Sequence, residues 1–237
     1  MRRITSIKDT HYAILIVYLL GLFIAFAIQI FASVLIDLES LTPDGRTTFS
    51  AAMNFIAYTI QAILLIYFFK VYLFKNQWVF LKHHYRFVIY LTLLTLYLMF
   101  NMLILIQGLF LVLDIDPVSP NQAALESILK SGIFFNQFSL FVVAVILAPI
   151  VEELVYRKAI YGLINTRFRP IYAVLGSAFV FAFVHIIIDL SNAIYILPYF
   201  GLGVILSFIY YYSGKIIFIP IIAHALMNLY TYILLFL

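Results

Sequence analysis

The chain has 237 residues, 66% of them hydrophobic and only 10% charged, with a mean hydropathy of +1.12. That composition excludes a soluble domain, and the length leaves no room for one beside the membrane spans. Cysteine is absent, which excludes disulfides, thiolate metal sites and a cysteine nucleophile. The net charge of +4 sits at the edges of apolar runs and forms no patch, so nucleic acid is not expected as a partner.

Arg2, Arg3 and Lys8 precede an apolar run at 12–36. A secretory signal would have a shorter apolar core and a small-residue cleavage site, so this run is read as a retained first span. Further runs follow at 48–69, 87–113, 132–154, 171–188, 193–212 and 216–236. Each has about the ~20 residues that a bilayer requires of a helix. The reading is an all-α polytopic membrane protein with about seven transmembrane helices. With the N-terminus in the cytoplasm, 12 of the 14 Lys and Arg residues fall inside and only Arg46 and Lys130 outside. The C-terminus is then external. Residues 121–130 are polar enough for a short helix on the outer surface. This divides the chain into 1–130, with three N-terminal spans and an outer loop, and 131–237, a core of four spans. Gln29, Asn54, Gln61, Asn101 and Gln107 read as interhelical hydrogen-bonding amides. His11, His83 and His84 read as interfacial, and Gly201, Gly203 and Ser207 as a face for close helix packing.

The fourth run ends in Pro149-Ile150-Val151-Glu152-Glu153-Leu154-Val155-Tyr156-Arg157. A carboxylate in hydrocarbon costs about 2.5–3.5 kcal/mol on insertion scales, so such groups generally have a partner and a purpose. Glu153 and Arg157 are i and i+4, on one helix face and able to pair. Glu152 lies ~100° away around the same helix and points elsewhere.

Later runs carry His185, His224 and Asn228, the last two spaced i, i+4 on one face. Asp189 is i+4 from His185 and could orient it. Glu152, His185, His224 and Asn228 together hold what peptide hydrolysis requires. A carboxylate can deprotonate water, an imidazole can share that water, and a second imidazole with an amide N–H can stabilise an oxyanion. The set Glu152, His185 and His224 could instead hold zinc with an open position for water. Pro149 and Pro220 can kink their helices and free a carbonyl. At ~1.5 Å per residue, His224 lies ~12 Å in from the cytoplasmic face, with Glu152 shallower and His185 deeper by one or two turns. Bringing them together requires tilt or a kink at Pro149.

The three motifs Glu152-Glu153-x-x-x-Arg157, Phe181-x-x-x-His185 and His224-x-x-x-Asn228 resemble those of the CPBP (Abi) family over about 138–230. That family groups CAAX-prenyl endopeptidases with bacteriocin-processing and immunity proteins. The resemblance implies an intramembrane endopeptidase with its active site among the last four helices. Glu152 and His185 would activate water, His224 and Asn228 would stabilise the oxyanion, and Glu153 with Arg157 would be a supporting pair. The family is labelled metalloprotease, yet a metal-free glutamate mechanism is also argued for it. With one carboxylate beside two histidines, Glu152 would have to be both zinc ligand and base, which tilts the reading toward no obligatory metal. The partners expected are the lipid bilayer and a peptide or membrane-protein substrate such as a leader peptide, in a bacterial cell membrane. The rival readings are a self-immunity protein acting by binding and a proton-coupled transporter. There is no His-Glu-x-x-His and no Gly-x-Gly-Asp, and Ser177 lacks a rhomboid surround and reads as packing.

Overall fold

A computed structural model describes residues 7–187 and 190–236, with the side chains of all of these except 7–9, 70–76 and 190–192. The described residues hold no strand. Their helices are α1 (Ile7–Leu35), α2 (Pro43–His83), α3 (Tyr85–Val112), α4 (Pro120–Lys130), α5 (Phe134–Asn165), α6 (Pro170–Ile186), α7 (Ile196–Tyr212) and α8 (Phe218–Phe236). A 3₁₀ segment, Leu190–Tyr195, leads into α7.

The helix starts follow from the sequence. Proline opens α2, α4 and α6, where its missing N–H costs nothing. The Thr42 and Ser119 hydroxyls accept from the Gly45 and Gln122 amides at 3.1 and 3.2 Å. Such caps contribute about 1 kcal/mol each. The chain reverses between α7 and α8 at Gly214 and Lys215, whose φ values of +73° and +69° lie in the left-handed region.

Six of these helices are long and apolar enough to cross a bilayer. The seventh expected span, α6, is equally apolar but 17 residues long, at the lower limit for crossing. The expected surface helix at 121–130 is α4. Large apolar side chains such as Phe23, Leu105 and Leu111 are exposed all around the bundle, as lipid contact requires. This is an integral membrane protein.

The second helix runs well past its apolar run, because nothing between residues 70 and 83 is a Gly or Pro breaker. Its far end grips the α7–α8 turn: the Ile217 N–H donates to Gln77 Oε1 at 2.8 Å, and Gln77 Nε2 donates to the Lys215 carbonyl at 3.3 Å.

The helix at the centre is α5. Half of its spanning window is buried inside the protein, against 17–33% for the other five spans. Its Val151, Leu154 and Val155 pack with Ile14 of α1, Ala62 and Leu65 of α2, and Phe181 of α6. Helices α1 and α2 therefore wall the same core as the later ones, while Val88 and Leu91 of α3 pack separately on Ile209 of α7 and Ile219 of α8. Close approach of α6 and α7 rests on Gly203: a Cβ there would lie 2.9 Å from the Ala178 Cα. Ser177 is fully buried and donates to the Tyr156 carbonyl at 2.7 Å, a packing role as expected.

Two expectations need correction. His11 is not interfacial; it is buried against Gly162, where a Cβ would come within 2.4 Å of its ring. The interhelical reading also fails for Asn101, which is exposed and donates to the Tyr97 carbonyl of its own helix at 2.7 Å. Gln29 and Gln107 are exposed, and Gln61 is buried between helices, packed on Gly21 of α1.

Candidate active site

The central helix is not uniformly wound. Val142–Leu147 and Leu154–Tyr161 are π-helical, flanking an α-helical Ala148–Glu153 that carries both carboxylates. The Ala148 N–H donates to the Val143 carbonyl, five residues back. In that register the next bond would run from residue 149 to Ala144, and Pro149 has no N–H to give. The freed Ala144 carbonyl accepts instead from Asn228 Nδ2 of α8, at 2.8 Å. Pro149 thus frees a carbonyl as expected, and that carbonyl anchors Asn228. One amide hydrogen of Asn228 is used there, and the other remains.

Glu153 sits in the protein interior with Arg157, both side chains fully buried and 3.0 Å apart. Their contact is an ion pair without hydrogen-bond alignment. The guanidinium lies over the rings of Phe181 and Tyr156, at 4.8 and 5.8 Å. The same glutamate has a second partner that the i,i+4 spacing did not reveal: His224 Nδ1 donates to Glu153 Oε1 at 2.9 Å. A carboxylate accepts only, so Nδ1 carries the hydrogen and Nε2 is turned to the other side.

On that other side is Glu152. Its Oε2 lies 3.9 Å from His224 Nε2, too far for a direct hydrogen bond and suited to a shared water. Its Oε1 accepts from the Tyr58 hydroxyl at 3.0 Å. A continuous series results: Arg157, Glu153, His224, a gap, Glu152, Tyr58. The predicted difference in depth between Glu152 and His224 is closed.

His185 stands apart from this series. Its Nδ1 donates to the Phe181 carbonyl at 2.7 Å, and its ring stacks on Tyr199 at 4.5 Å. The Phe181 ring contacts both imidazoles, 4.5 Å from His185 and 6.1 Å from His224. Among the described residues His185 makes no hydrogen bond to Glu152. Asp189, its expected orienting partner, lies outside the described residues. The backbone carbonyl supplies the orientation and leaves Nε2 as the acceptor.

Glu152, His185, His224 and Asn228 all line one cavity of about 430 Å³. Its other walls come from helices without any motif: Tyr18 of α1, Asn54 and Tyr58 of α2, Gln107 of α3, and Asn121 of α4. Asn121 and Ser119 both bond the Tyr199 hydroxyl, at 3.2 and 3.0 Å, which closes α4 over this end. Sequence reasoning missed Tyr58 because one tyrosine among 18 gives no signal.

The expected zinc ligands do not form a metal site as arranged. Among the described residues no three His, Asp or Glu side chains come within reach of one ion. His185 is not drawn into the Glu152–His224 series. The donor set does not fit a three-ligand zinc.

Residues 134–230 match the family model described as Type II CAAX prenyl endopeptidase Rce1-like. This segment opens at the first residue of α5 and holds all seven motif residues. Among curated proteins, "Putative membrane peptidase YdiL" of Bacillus subtilis (strain 168) is 33% identical over 93 residues, 39% of this chain and 36% of that protein. The match thus spans about a third of the relative's length. No solved structure matches the chain.

Proposed function

We propose that this protein is an intramembrane endopeptidase with Glu152 as its base, a reading supported by the match of residues 134–230 to the Rce1-like CAAX endopeptidase family model and by the likeness to a putative membrane peptidase. The observation that carries the reading is the 3.9 Å gap between Glu152 Oε2 and His224 Nε2 on the cavity wall. A water held there loses a proton to Glu152 as its oxygen bonds the peptide carbonyl carbon. The C–N bond then breaks, and Glu152 returns the proton to the leaving amine.

The oxyanion requires donors. His224 supplies Nε2–H as an imidazolium whose charge Glu153 balances through Nδ1. In that state Glu152, Glu153, Arg157 and His224 sum to zero charge, as a site in hydrocarbon requires. The second N–H of Asn228 is the other donor. The geometry favours His224 over His185 as the imidazole that shares the water. His185 Nε2 instead accepts an N–H of the bound peptide. We favour metal-free chemistry because the donors do not converge on one ion.

Apart from Glu152 and the two imidazoles, the described lining residues carry no ionisable acid or base other than tyrosines. Amides of Asn54, Gln107, Asn121 and Gln122 face this space with several tyrosine hydroxyls. These groups suit the N–H and C=O groups of an extended, uncharged peptide, which must be satisfied away from water. Leader peptides, pheromones and small membrane peptides fit better than a prenyl chain. The basic loops favour a cytoplasmic N-terminus, and the Bacillus relative favours a bacterial cell membrane.

The test is cleavage of a library of quenched fluorescent peptides by wild type and Glu152→Gln in liposomes. Cleavage by wild type alone, with peptide binding kept in the variant, is the expected result. Equal cleavage by both would remove Glu152 from its role. Binding by both without cleavage would favour a non-catalytic immunity protein.

A further inference from the structure

The matched segment supplies the base but leaves its orientation open. A glutamate side chain ends in a broad, two-fold torsion, so either oxygen can face the cavity unless something distinguishes them. In this chain something does. Tyr58 of α2, 94 residues away, donates its hydroxyl to Glu152 Oε1 at 3.0 Å. Oε2 is buried, has no hydrogen-bond partner among the described residues, and is the oxygen 3.9 Å from His224 Nε2.

The backbone holds Tyr58 in that place. One turn on, Ala62 and Leu65 of α2 are almost wholly buried, in the cluster that includes Val151 and Leu154 of α5. Tyr58 packs against the same cluster. The phenol is thus delivered from the same side of α5 that carries Glu152. Its bond to a carboxylate is charge-assisted, the stronger class of hydrogen bond.

We propose that Tyr58, outside the family-matched segment, is the positioning residue of the site: it holds Glu152 by Oε1 so that Oε2 alone faces His224 and the water. The proposal rests on the protease reading for its kinetic consequence but not for the bond itself.

The experiment uses the full chain in liposomes and Tyr58→Phe, which keeps the ring and its packing. Difference infrared spectra identify the carboxylate band of Glu152 as the one that Glu152→Gln removes. In Tyr58→Phe that band moves, and in variants that keep the phenol it stays at the wild-type position. On a cleaved peptide kcat falls about ten-fold or more, the size expected for losing a hydrogen bond to a charged group, while KM stays at the wild-type value and the melting temperature falls by no more than one lost hydrogen bond accounts for. A merely structural tyrosine would leave the band and kcat unchanged and lower only the melting temperature.

An unmoved band overturns the proposal, because the phenol then does not bond the carboxylate. A moved band with wild-type kcat also overturns it, because the bond then positions nothing. If wild type cleaves no peptide, the protease reading is what fails, and the band alone decides whether Tyr58 holds Glu152.

Discussion

Replacing Arg157 by methionine tests whether charge, and not only packing, holds the inner wall of the site. Arg157 and Glu153 are both fully buried, 3.0 Å apart, and Glu153 also takes the His224 Nδ1–H. Methionine keeps much of the side chain's length and its contact with the Phe181 ring. It leaves Glu153 a buried anion without the guanidinium that pairs with it. Removing one partner of a buried pair costs about 3–5 kcal/mol. For a chain of this size each kcal/mol lowers Tm by about 2–4 °C. Arg157→Met should therefore melt about 6–20 °C below wild type. The double variant Glu153→Gln/Arg157→Met leaves no uncompensated charge and should lose less than the two single variants together. Thermal scans in detergent, followed by fluorescence of the lone tryptophan, Trp78, provide the assay. Melting of Arg157→Met within 2 °C (roughly 1 kcal/mol) of wild type would refute the reasoning, as would losses that simply add.

Three further outcomes are expected. Gly203→Ala places a Cβ 2.9 Å from backbone of α6 and should cost about 1–3 kcal/mol in thermal unfolding; Gly108→Ala, with nothing within 4 Å, should cost nothing or stabilise. Asn228→Ala leaves the Ala144 carbonyl without its donor and should cost about 1–3 kcal/mol, whereas in a Pro149→Ala background, where residue 149 regains an N–H, the same change should cost measurably less. Cleavage of a peptide substrate should survive a strong chelator at the wild-type rate; loss on chelation that zinc restores would contradict the metal-free mechanism.

The helical architecture was legible because hydrocarbon imposes its length on every span and lets charge appear only where it has a use. For the same reason Glu152, Glu153, Arg157, His185, His224 and Asn228 stood out; in the structure Glu152, His185, His224 and Asn228 line one cavity, with Glu153 and Arg157 behind His224. What remained hidden depends on winding and on neutral groups. The two π-helical stretches of α5 leave no pattern beyond Pro149, yet they decide which carbonyl Asn228 meets. The Glu153–His224 bond crosses between helices and has no spacing in the sequence. Tyr58 and Asn54 are ordinary residues of an apolar helix until that helix is set beside α5. His11 reads as interfacial from its position near the N-terminus, but the missing side chain at Gly162 makes room for it inside. Amides such as Asn101 bond their own helix, a choice that composition cannot reveal.

The central claim is that Glu152 and His224 work on one water as a unit. The most direct measurement is the single-turnover cleavage rate of Glu152→Gln, His224→Gln and the double variant on one peptide in liposomes. If the two residues share the nucleophile, each single variant loses nearly all the activity and the double loses little more. Losses that multiply in the double variant, or a His224→Gln enzyme that still cleaves at near the wild-type rate, would contradict the account.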